Sequence, residues 1–270
     1  MSLLLRFWPG SIAIQKPQTR LSPRFFDPSQ RYTPCKSSWN FCSCLKPNQQ
    51  NRAHFKSSSV PRDSPLSGME DALMGYLFGK KRATDVAHMV WKHVVQKGDT
   101  VVDATCGNGY DTLAMLKLVA HGSNKGFVYA LDIQKDALDM TSSWLDKSLD
   151  PTEKQLIKLF NICHSKMEEV IPTNASVRLV AFNLGYLPGG DKEIITRSET
   201  TLLALEAAKR ILMPGGLISI VVYVGHPGGW EELKSIEAFA ARLSTEDWIC
   251  CKLQMLNRPS APMPIFLFKR

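Results

Sequence analysis

The spacing of apolar residues changes repeatedly from about residue 70 onward, and this alternation constrains the fold more than any other feature. Residues 84–96 carry Val86, Val90 and Val94 at helical spacing, and apolar runs of strand length follow with helical patterns between them. Strands that alternate with helices form a parallel sheet covered by those helices. The runs lie at residues 100–103, 127–132, 156–162, 177–182 and 217–224.

Two further apolar runs close the chain, at residues 248–256 and 265–268, with no helical pattern between them. They predict a hairpin. The expected fold is therefore α/β and Rossmann-like, with a seven-stranded, mostly parallel sheet. It ends in a C-terminal antiparallel hairpin and has helices on both faces.

The amino-terminal segment differs in composition from the rest of the chain. Residues 1–62 hold ten of the 33 Lys and Arg residues but one of the 25 acidic residues. A leader rich in Ser, Arg and Pro and nearly free of acids is typical of an organellar transit peptide, and an ordinary disordered tail is the alternative. We expect a chloroplast leader over residues 1–65, with the mitochondrion as second choice, and one folded domain over residues 66–270.

The formal charge of +8 does not by itself indicate a nucleic-acid-binding domain. After residue 62 the chain has 23 basic and 24 acidic residues, so the excess charge belongs to the leader. No apolar run approaches the roughly 18 residues that span a bilayer. No membrane segment is expected.

The seven cysteines do not form a metal-binding or disulfide pattern. Three lie in the leader, the others are dispersed, and no CxxC pair occurs. We therefore expect reduced thiols and no metal site. The four outside the leader are Cys106, Cys163, Cys250 and Cys251.

A glycine-rich turn follows the first predicted strand. Asp103 ends that strand, and Gly107 and Gly109 flank Asn108 at the start of a helix. Glycines there let the backbone approach a ligand at the helix terminus. The turn lacks the Gly-Lys-Ser/Thr of a P-loop and the spacing of G-x-G-x-x-G. Because S-adenosylmethionine carries an ammonium and a sulfonium, an acid at the strand end suits it better than a pyrophosphate.

Polar residues also end the second and third strands. Asp132 and Gln134 follow the second strand, where an acid can bind both ribose hydroxyls. Cys163 and His164 follow the third, where they would border an adenine ring. Each residue alone is more often a turn former or a helix cap. Three polar strand ends in succession favour a cofactor site.

A second glycine-rich turn, residues 183–192, follows the fourth strand. Asn183 offers an amide that donates and accepts hydrogen bonds, and Tyr186 offers a flat ring with a hydroxyl. This pair suits a planar substrate that contains nitrogen, although a tight turn with a capped tyrosine is the alternative. Residues 225–229 follow the fifth strand and are expected at the same edge of the sheet.

These motifs together resemble one family. D-A-T-x-G-N-G-x-D-T at 103–112, D-I-Q at 132–134, N-L-G-Y-L-P-G-G-D-K at 183–192 and G-H-x-G-G at 225–229 resemble the bacterial rRNA methylase-like group of class I methyltransferases. Members of this group act as tRNA 5-aminomethyl-2-thiouridine methyltransferases. The strand ends and the resemblance assign these positions to S-adenosylmethionine: Asp103, Thr105, Gly107, Asn108, Gly109, Asp111, Thr112, Asp132, Gln134, Cys163 and His164.

The resemblance implies methylation of an exocyclic amine at the tRNA wobble position. Asn183 would align the amine, Tyr186 would stack on the uracil ring, and Asp191 would hold the charged amine. His226 would accept the amine proton or, equally, shape its loop. Phosphate contacts in the tRNA anticodon stem-loop are expected from Lys192, Arg197 and Arg258, each of which is alternatively a solvated charge.

Other functions are compatible with the residues. An rRNA or adenine-amine methyltransferase is one, since Asn-Leu-Gly-Tyr resembles the Asn/Asp-Pro-Pro-Tyr turn of enzymes that methylate base amines. A small-molecule amine methyltransferase is another, and a non-catalytic cofactor-binding module is a third. Homodimerisation is left open by the sequence.

Overall fold

The structure is a computed structural model that describes residues 69–120 and 126–270. The proposed leader at residues 1–65 and its boundary with the domain lie outside the described residues.

Seven strands form one sheet in the order β3-β2-β1-β4-β5-β7-β6. Strands β1 to β5 run parallel, and β7 lies antiparallel between β5 and β6. The strands are β1 (Thr100–Asp103), β2 (Phe127–Asp132), β3 (Ile157–Asn161), β4 (Val177–Asn183), β5 (Leu212–Val222), β6 (Trp248–Lys252) and β7 (Met263–Lys269). The predicted mixed sheet with a terminal hairpin is confirmed.

Helices connect the strands and cover the sheet. They are α1 (Met69–Leu77), α2 (Ala83–Val94), α3 (Tyr110–Val119), α4 (Lys135–Ser148), α5 (Pro151–Lys154), α6 (Ser198–Ile211) and α7 (Gly229–Ala241), with a 3₁₀ helix over His164–Glu169. Helices α1 and α5 were not predicted. The sequence does contain a signal for α5, since Asp150 and Glu153 have the spacing of a capping box. In the structure, the Asp150 carboxylate accepts hydrogen bonds from the backbone amides of Thr152 and Glu153.

One strand starts earlier than the apolar pattern predicts. Strand β5 begins at Leu212 rather than at residue 217, because Leu212 pairs with Val177 before the register shifts to Leu179 opposite Leu217. The turn residues at 214–216 therefore form an irregularity within the strand.

The sheet is buried on both faces, which explains its continuous apolar runs. Successive residues of β4 point to opposite sides: Leu179 belongs to the same buried cluster as Trp91 of α2, and Val180 belongs to the cluster that contains Phe239 of α7. These side chains are at most 2% exposed, and burying one such side chain contributes roughly 1.5–3 kcal/mol. Because β1 to β5 run parallel, their carboxyl ends lie along one edge of this sheet.

None of the helices within residues 69–120 and 126–270 is long and apolar enough to cross a membrane.

Candidate active site

The glycine turn after β1 packs directly on helix α4. Gly107 and Gly109 have φ values of 48° and 81°, and Gly109 is the N-cap of α3. A Cβ on Gly109 would lie 2.9 Å from Thr141 Cγ2, and the Thr141 hydroxyl donates to the Gly107 carbonyl at 2.7 Å. At position 109, glycine is therefore required both by the backbone conformation and by the close approach of Thr141. Thr141 belongs to this turn although the sequence pattern did not single it out.

Asp103 lies beneath the glycine turn and is 1% exposed. Its carboxylate accepts the Thr112 hydroxyl at 2.6 Å and the Thr105 amide at 3.3 Å. Burial raises the pKa of Asp103 to about 7, assisted by the negative charge of Asp111 and opposed by these hydrogen bonds. Asp103 and Thr112 therefore hold the turn, and direct contact with a cofactor stays a prediction.

Asp132 ends β2 and faces the same turn. One carboxylate oxygen accepts the Gly107 amide at 3.0 Å, and the other accepts the Gln134 amide at 2.9 Å. Burial raises the pKa of Asp132 against the lowering effect of these bonds. Each oxygen retains capacity for another hydrogen bond, so Asp132 can bind the ribose hydroxyls of a cofactor while holding the turn.

Asn108 lies between the two glycine-rich turns. Its amide nitrogen donates to the Pro188 carbonyl at 3.4 Å, whereas its Oδ1 is buried and has no hydrogen-bond partner among the described residues. An unsatisfied buried acceptor is unfavourable. A ligand that carries donors, such as the ammonium of S-adenosylmethionine, would satisfy it.

Cys163 and His164 follow β3 as expected. His164 is 6% exposed, its ring lies edge-on to Phe182 at a centroid distance of 5.9 Å, and burial lowers its pKa to about 4. The Cys163 sulfur accepts the Ser165 hydroxyl at 3.1 Å. His164 is therefore a neutral, buried side chain, and its contact with an adenine ring stays a prediction.

Asn183 joins the cofactor turn to the acceptor turn. Its backbone amide donates to the Thr105 hydroxyl at 2.7 Å. Its side-chain nitrogen donates to Asp111 Oδ2 at 3.3 Å. The structure shows that Thr105 and Asp111 position Asn183, and their predicted contact with the cofactor stays a prediction.

His88 is a part of the site that sequence reasoning missed. Its Nε2 lies 2.6 Å from Asp111 Oδ1, and its ring contacts Trp91 at a centroid distance of 4.6 Å. His88 lies on α2, which precedes β1 in the chain. No local motif marks it, since only the packing of α2 on the sheet brings it to Asp111.

The acceptor turn presents an aromatic side chain with a cation and an imidazole beside it. Tyr186 is 43% exposed, with Lys192 Nζ 5.9 Å from its ring centroid and the His226 ring at 6.3 Å in an edge-on arrangement. His226 Nδ1 lies 2.9 Å from the Pro227 carbonyl. A carbonyl only accepts, so Nδ1 carries the proton and Nε2 of the neutral ring is an acceptor. That Nε2 is buried without a partner among the described residues.

A buried carboxylate on α7 anchors the acceptor turn. The Gly185 amide donates to the Thr196 hydroxyl at 2.9 Å, and that hydroxyl donates to Glu232 at 2.9 Å. Thr201 donates to the second oxygen of Glu232 at 2.6 Å. Burial raises the pKa of Glu232 despite these bonds. Neither Glu232 nor Thr196 was expected from sequence.

Three residues that were predicted to contact the substrate, Asp191, Arg197 and Arg258, are exposed in the structure. Asp191 is exposed and accepts the backbone amide of Glu193 within its own turn. Arg197 is the exposed N-cap of α6. Arg258 lies beside Gly79 of the α1–α2 turn and borders a cavity of about 560 Å³. Contacts of these residues with a substrate stay predictions.

No group of three or more His, Cys, Asp or Glu side chains suited to a metal occurs within the described ranges. The four cysteines found there are free thiols.

Two solved structures that match the folded domain are named as a methylase and a methyltransferase. A "putative rRNA-methylase" from Clostridium thermocellum is 36% identical with a TM-score of 0.65, covering 70% of this chain and 98% of that chain. A "putative methyltransferase" from Streptococcus mutans, solved in complex with SAH, is 29% identical with a TM-score of 0.61, covering 70% and 99%. The fold and the site therefore define a class I S-adenosylmethionine-dependent methyltransferase.

The family follows from two sequence matches. The family described as "Putative rRNA methylase" matches residues 128–269. A protein of Arabidopsis thaliana named tRNA (mnm(5)s(2)U34)-methyltransferase, chloroplastic, is 63% identical over 230 residues, 84% of each chain. This chain belongs to the rRNA methylase family, as its motifs predict.

Proposed function

We propose that this enzyme methylates the exocyclic amine of 5-aminomethyl-2-thiouridine at the tRNA wobble position. The product is 5-methylaminomethyl-2-thiouridine, and S-adenosylmethionine is the methyl donor. Support comes from the 63% identity with the named Arabidopsis thaliana enzyme. The observation that carries the mechanism is the hydrogen bond from Asn183 Nδ2 to Asp111.

This hydrogen bond fixes the orientation of the Asn183 amide. A carboxylate accepts hydrogen bonds, so the amide nitrogen faces Asp111 and the amide oxygen is free to face a substrate. The oxygen then accepts an N–H of the substrate amine and aims its lone pair. When bound, S-adenosylmethionine supplies the methyl group, whose carbon–sulfur bond breaks as the amine lone pair forms the carbon–nitrogen bond. The contribution of Asn183 is orientation of the nucleophile.

Asp111 and His88 hold Asn183 in place. Both oxygens of Asp111 are engaged, one by His88 at 2.6 Å and the other by Asn183 at 3.3 Å. The carboxylate is about one-sixth exposed, so its charge acts at short range with limited screening. It also favours approach of a cationic aminomethyl group before that group loses its proton.

His226 is the proton acceptor in this proposal. The attacking amine must be neutral, and one proton leaves it for each methyl group transferred. The bare Nε2 of His226 lies close to Gly185, since a Cβ on that glycine would be 3.8 Å from it. His226 thus faces the acceptor turn with a free lone pair.

Tyr186 and Lys192 bind the nucleotide. The exposed Tyr186 ring stacks on the thiouracil, an interaction of roughly 1–3 kcal/mol per base. Lys192 lies over the same ring, where its ammonium can contact the flanking phosphate. Arg197 and Arg258 remain proposed phosphate contacts farther along the anticodon stem-loop.

We also propose that the enzyme acts in the chloroplast after loss of residues 1–65. Support comes from the composition of that segment and from the chloroplastic relative. The sequence leaves homodimerisation open, and light scattering of the purified protein tests it.

Methylation of rRNA is the second candidate, because the family description names an rRNA methylase. Nucleoside mass spectrometry of chloroplast tRNA and rRNA from a line that lacks the gene separates the two functions. We expect the aminomethyl nucleoside to accumulate in tRNA and its methylated form to disappear. Restoration by the wild-type gene and not by an Asn183→Ala gene completes the test. Unchanged tRNA with a lost rRNA methyl group would establish the second candidate instead.

A further inference from the structure

We propose that Tyr110, Met140 and Trp144 form a stacking site for a nucleobase adjacent to the target nucleotide in the substrate RNA. This inference rests on the proposed function and extends it to a second contact with the RNA strand.

The three side chains are exposed although they are large and apolar. Tyr110 is 63% exposed, Met140 43% and Trp144 38%. The two aromatic rings lie edge to face, with centroids 5.5 Å apart and planes at 60°. This arrangement leaves ring surface available to a ligand. Bases of single-stranded RNA stack on such surfaces largely independently of sequence.

The site adjoins both functional turns. Tyr110, Met140 and Trp144 line a cavity of about 320 Å³ together with Asn108 of the cofactor turn and residues 188–189 of the acceptor turn. The Asn108 amide donates to the Pro188 carbonyl across this boundary. Because Pro188 follows Tyr186 by two residues, an RNA strand that places its target base on Tyr186 brings a neighbouring base to this cavity.

The charged residues of helix α4 indicate where the phosphate of the stacked nucleotide lies. Met140, Trp144 and Lys147 recur at positions i, i+4 and i+7 and so share one helix face. Asp136 lies on the same face at the start of the helix. Lys147 makes no ion pair within the part of the chain that the structure describes. A phosphate attached to the stacked base is therefore expected near Lys147 and away from Asp136.

The adenine of the cofactor is a poorer occupant. The acid that suits its ribose, Asp132, ends β2, and Cys163 and His164 follow β3 at the adjacent strand end. None of these residues lines the cavity beside Trp144. A nucleobase of the RNA strand fits both the aromatic lining and the continuity with the acceptor turn.

The test uses the full chain with Tyr110→Ala, Trp144→Ala and the double substitution. The control is Leu203→Ala, which truncates a large apolar residue that is 60% exposed on α6. We expect each site substitution to raise the Kd for an anticodon stem-loop RNA roughly 5- to 150-fold, measured by fluorescence anisotropy with SAH present. Trp144→Phe should retain most of the affinity. The Kd for SAH, measured by calorimetry, should not change.

Two results would overturn the stacking site. One is an RNA affinity that changes no more than in Leu203→Ala. The other is a rise in the Kd for SAH equal to the rise for RNA, which would assign the cavity to the cofactor. RNA binding is measured without turnover, so these results do not depend on the proposed methylation of the wobble nucleoside. That proposed function is contradicted instead if the wild-type protein transfers no methyl group to tRNA.

Discussion

Asp111 Oδ1 lies 2.6 Å from His88 Nε2, and this contact ties helix α2 to the side chain that holds Asn183. The carboxylate has two oxygens and each has one partner in this arrangement. Removing either partner frees Asp111 to rotate. The position of Asn183 therefore depends on a histidine of an element that precedes the sheet.

His88→Ala is expected to lower kcat about 10- to 100-fold. Asn183 loses its fixed orientation, and misplacement of a nucleophile reduces the rate by a factor of this order. His88→Gln should recover part of this loss, since its amide can donate to Asp111. His93→Ala changes an exposed histidine on the same helix and should leave kcat within twofold. Steady-state kinetics with tRNA measures all three. Equal losses in His88→Ala and His93→Ala would contradict the positioning role.

Asn183→Ala should reduce kcat at least about 100-fold and leave the Kd for S-adenosylmethionine within about threefold, because the side chain orients the acceptor and not the cofactor. Asn183→Asp should be as inactive, since it places a second carboxylate beside Asp111. Asn174→Ala alters an exposed asparagine before the same strand and serves as control. Single-turnover kinetics together with calorimetry separates the two effects. Retained turnover in Asn183→Ala would exclude the proposed alignment.

Asp132→Ala should raise the Kd for S-adenosylmethionine roughly 10- to 100-fold. The ribose loses its charged acceptor, and a hydrogen bond to a charged group contributes about 1.5–3 kcal/mol, which corresponds to a change of this size in Kd. Asp136→Ala, four residues later and exposed, should bind the cofactor normally. Calorimetric titration gives both constants, and equal affinity in the two variants would remove Asp132 from the cofactor site.

The sheet and the strand-end motifs were predictable because each depends on local pattern. Two-face burial makes strands such as β4 continuously apolar, and the glycines at 107 and 109 mark a turn that α4 approaches closely. The register shift in β5 was not predictable, since its pairing with Val177 depends on the neighbouring strand.

The residues that support the site were also not predictable, because their positions depend on tertiary packing and not on local sequence pattern. His88 and Glu232 lie in helices whose patterns are otherwise ordinary, and each reaches the site through tertiary packing. Tyr186 and Asn183 belong to a single turn, so the sequence places them together without knowledge of the fold.

Glu232→Ala should lower the free energy of unfolding by about 2–4 kcal/mol. The substitution leaves two threonine hydroxyls, those of Thr196 and Thr201, without their buried acceptor, and an unsatisfied buried group costs about 1–3 kcal/mol. Glu231→Ala removes the exposed neighbouring carboxylate and should change stability by less than about 0.5 kcal/mol. Urea unfolding followed by circular dichroism provides the values. Similar stability of the two variants would show that Glu232 does not anchor the acceptor turn.

The pH dependence of stability should contain a contribution from His164. Burial lowers its pKa to about 4 in the folded protein, from an ordinary value of 6.5. Between these values the unfolded chain binds a proton that the folded protein does not, so the free energy of unfolding falls as the pH is lowered from 6.5 to 4. At 1.36 kcal/mol per pKa unit the full effect is roughly 3 kcal/mol.

His164→Leu removes this titration, and the difference in unfolding free energy between wild type and variant should therefore shift by about 2–3 kcal/mol, in favour of the variant, from pH 7 to pH 4.5. Other titrating groups, Asp103 among them, contribute equally to both proteins and cancel in the difference. His93→Leu, at an exposed position, should show the wild-type pH dependence. Urea titrations of the cofactor-free protein at several pH values measure the effect. If wild type and His164→Leu run parallel across this range, His164 is not held neutral by burial.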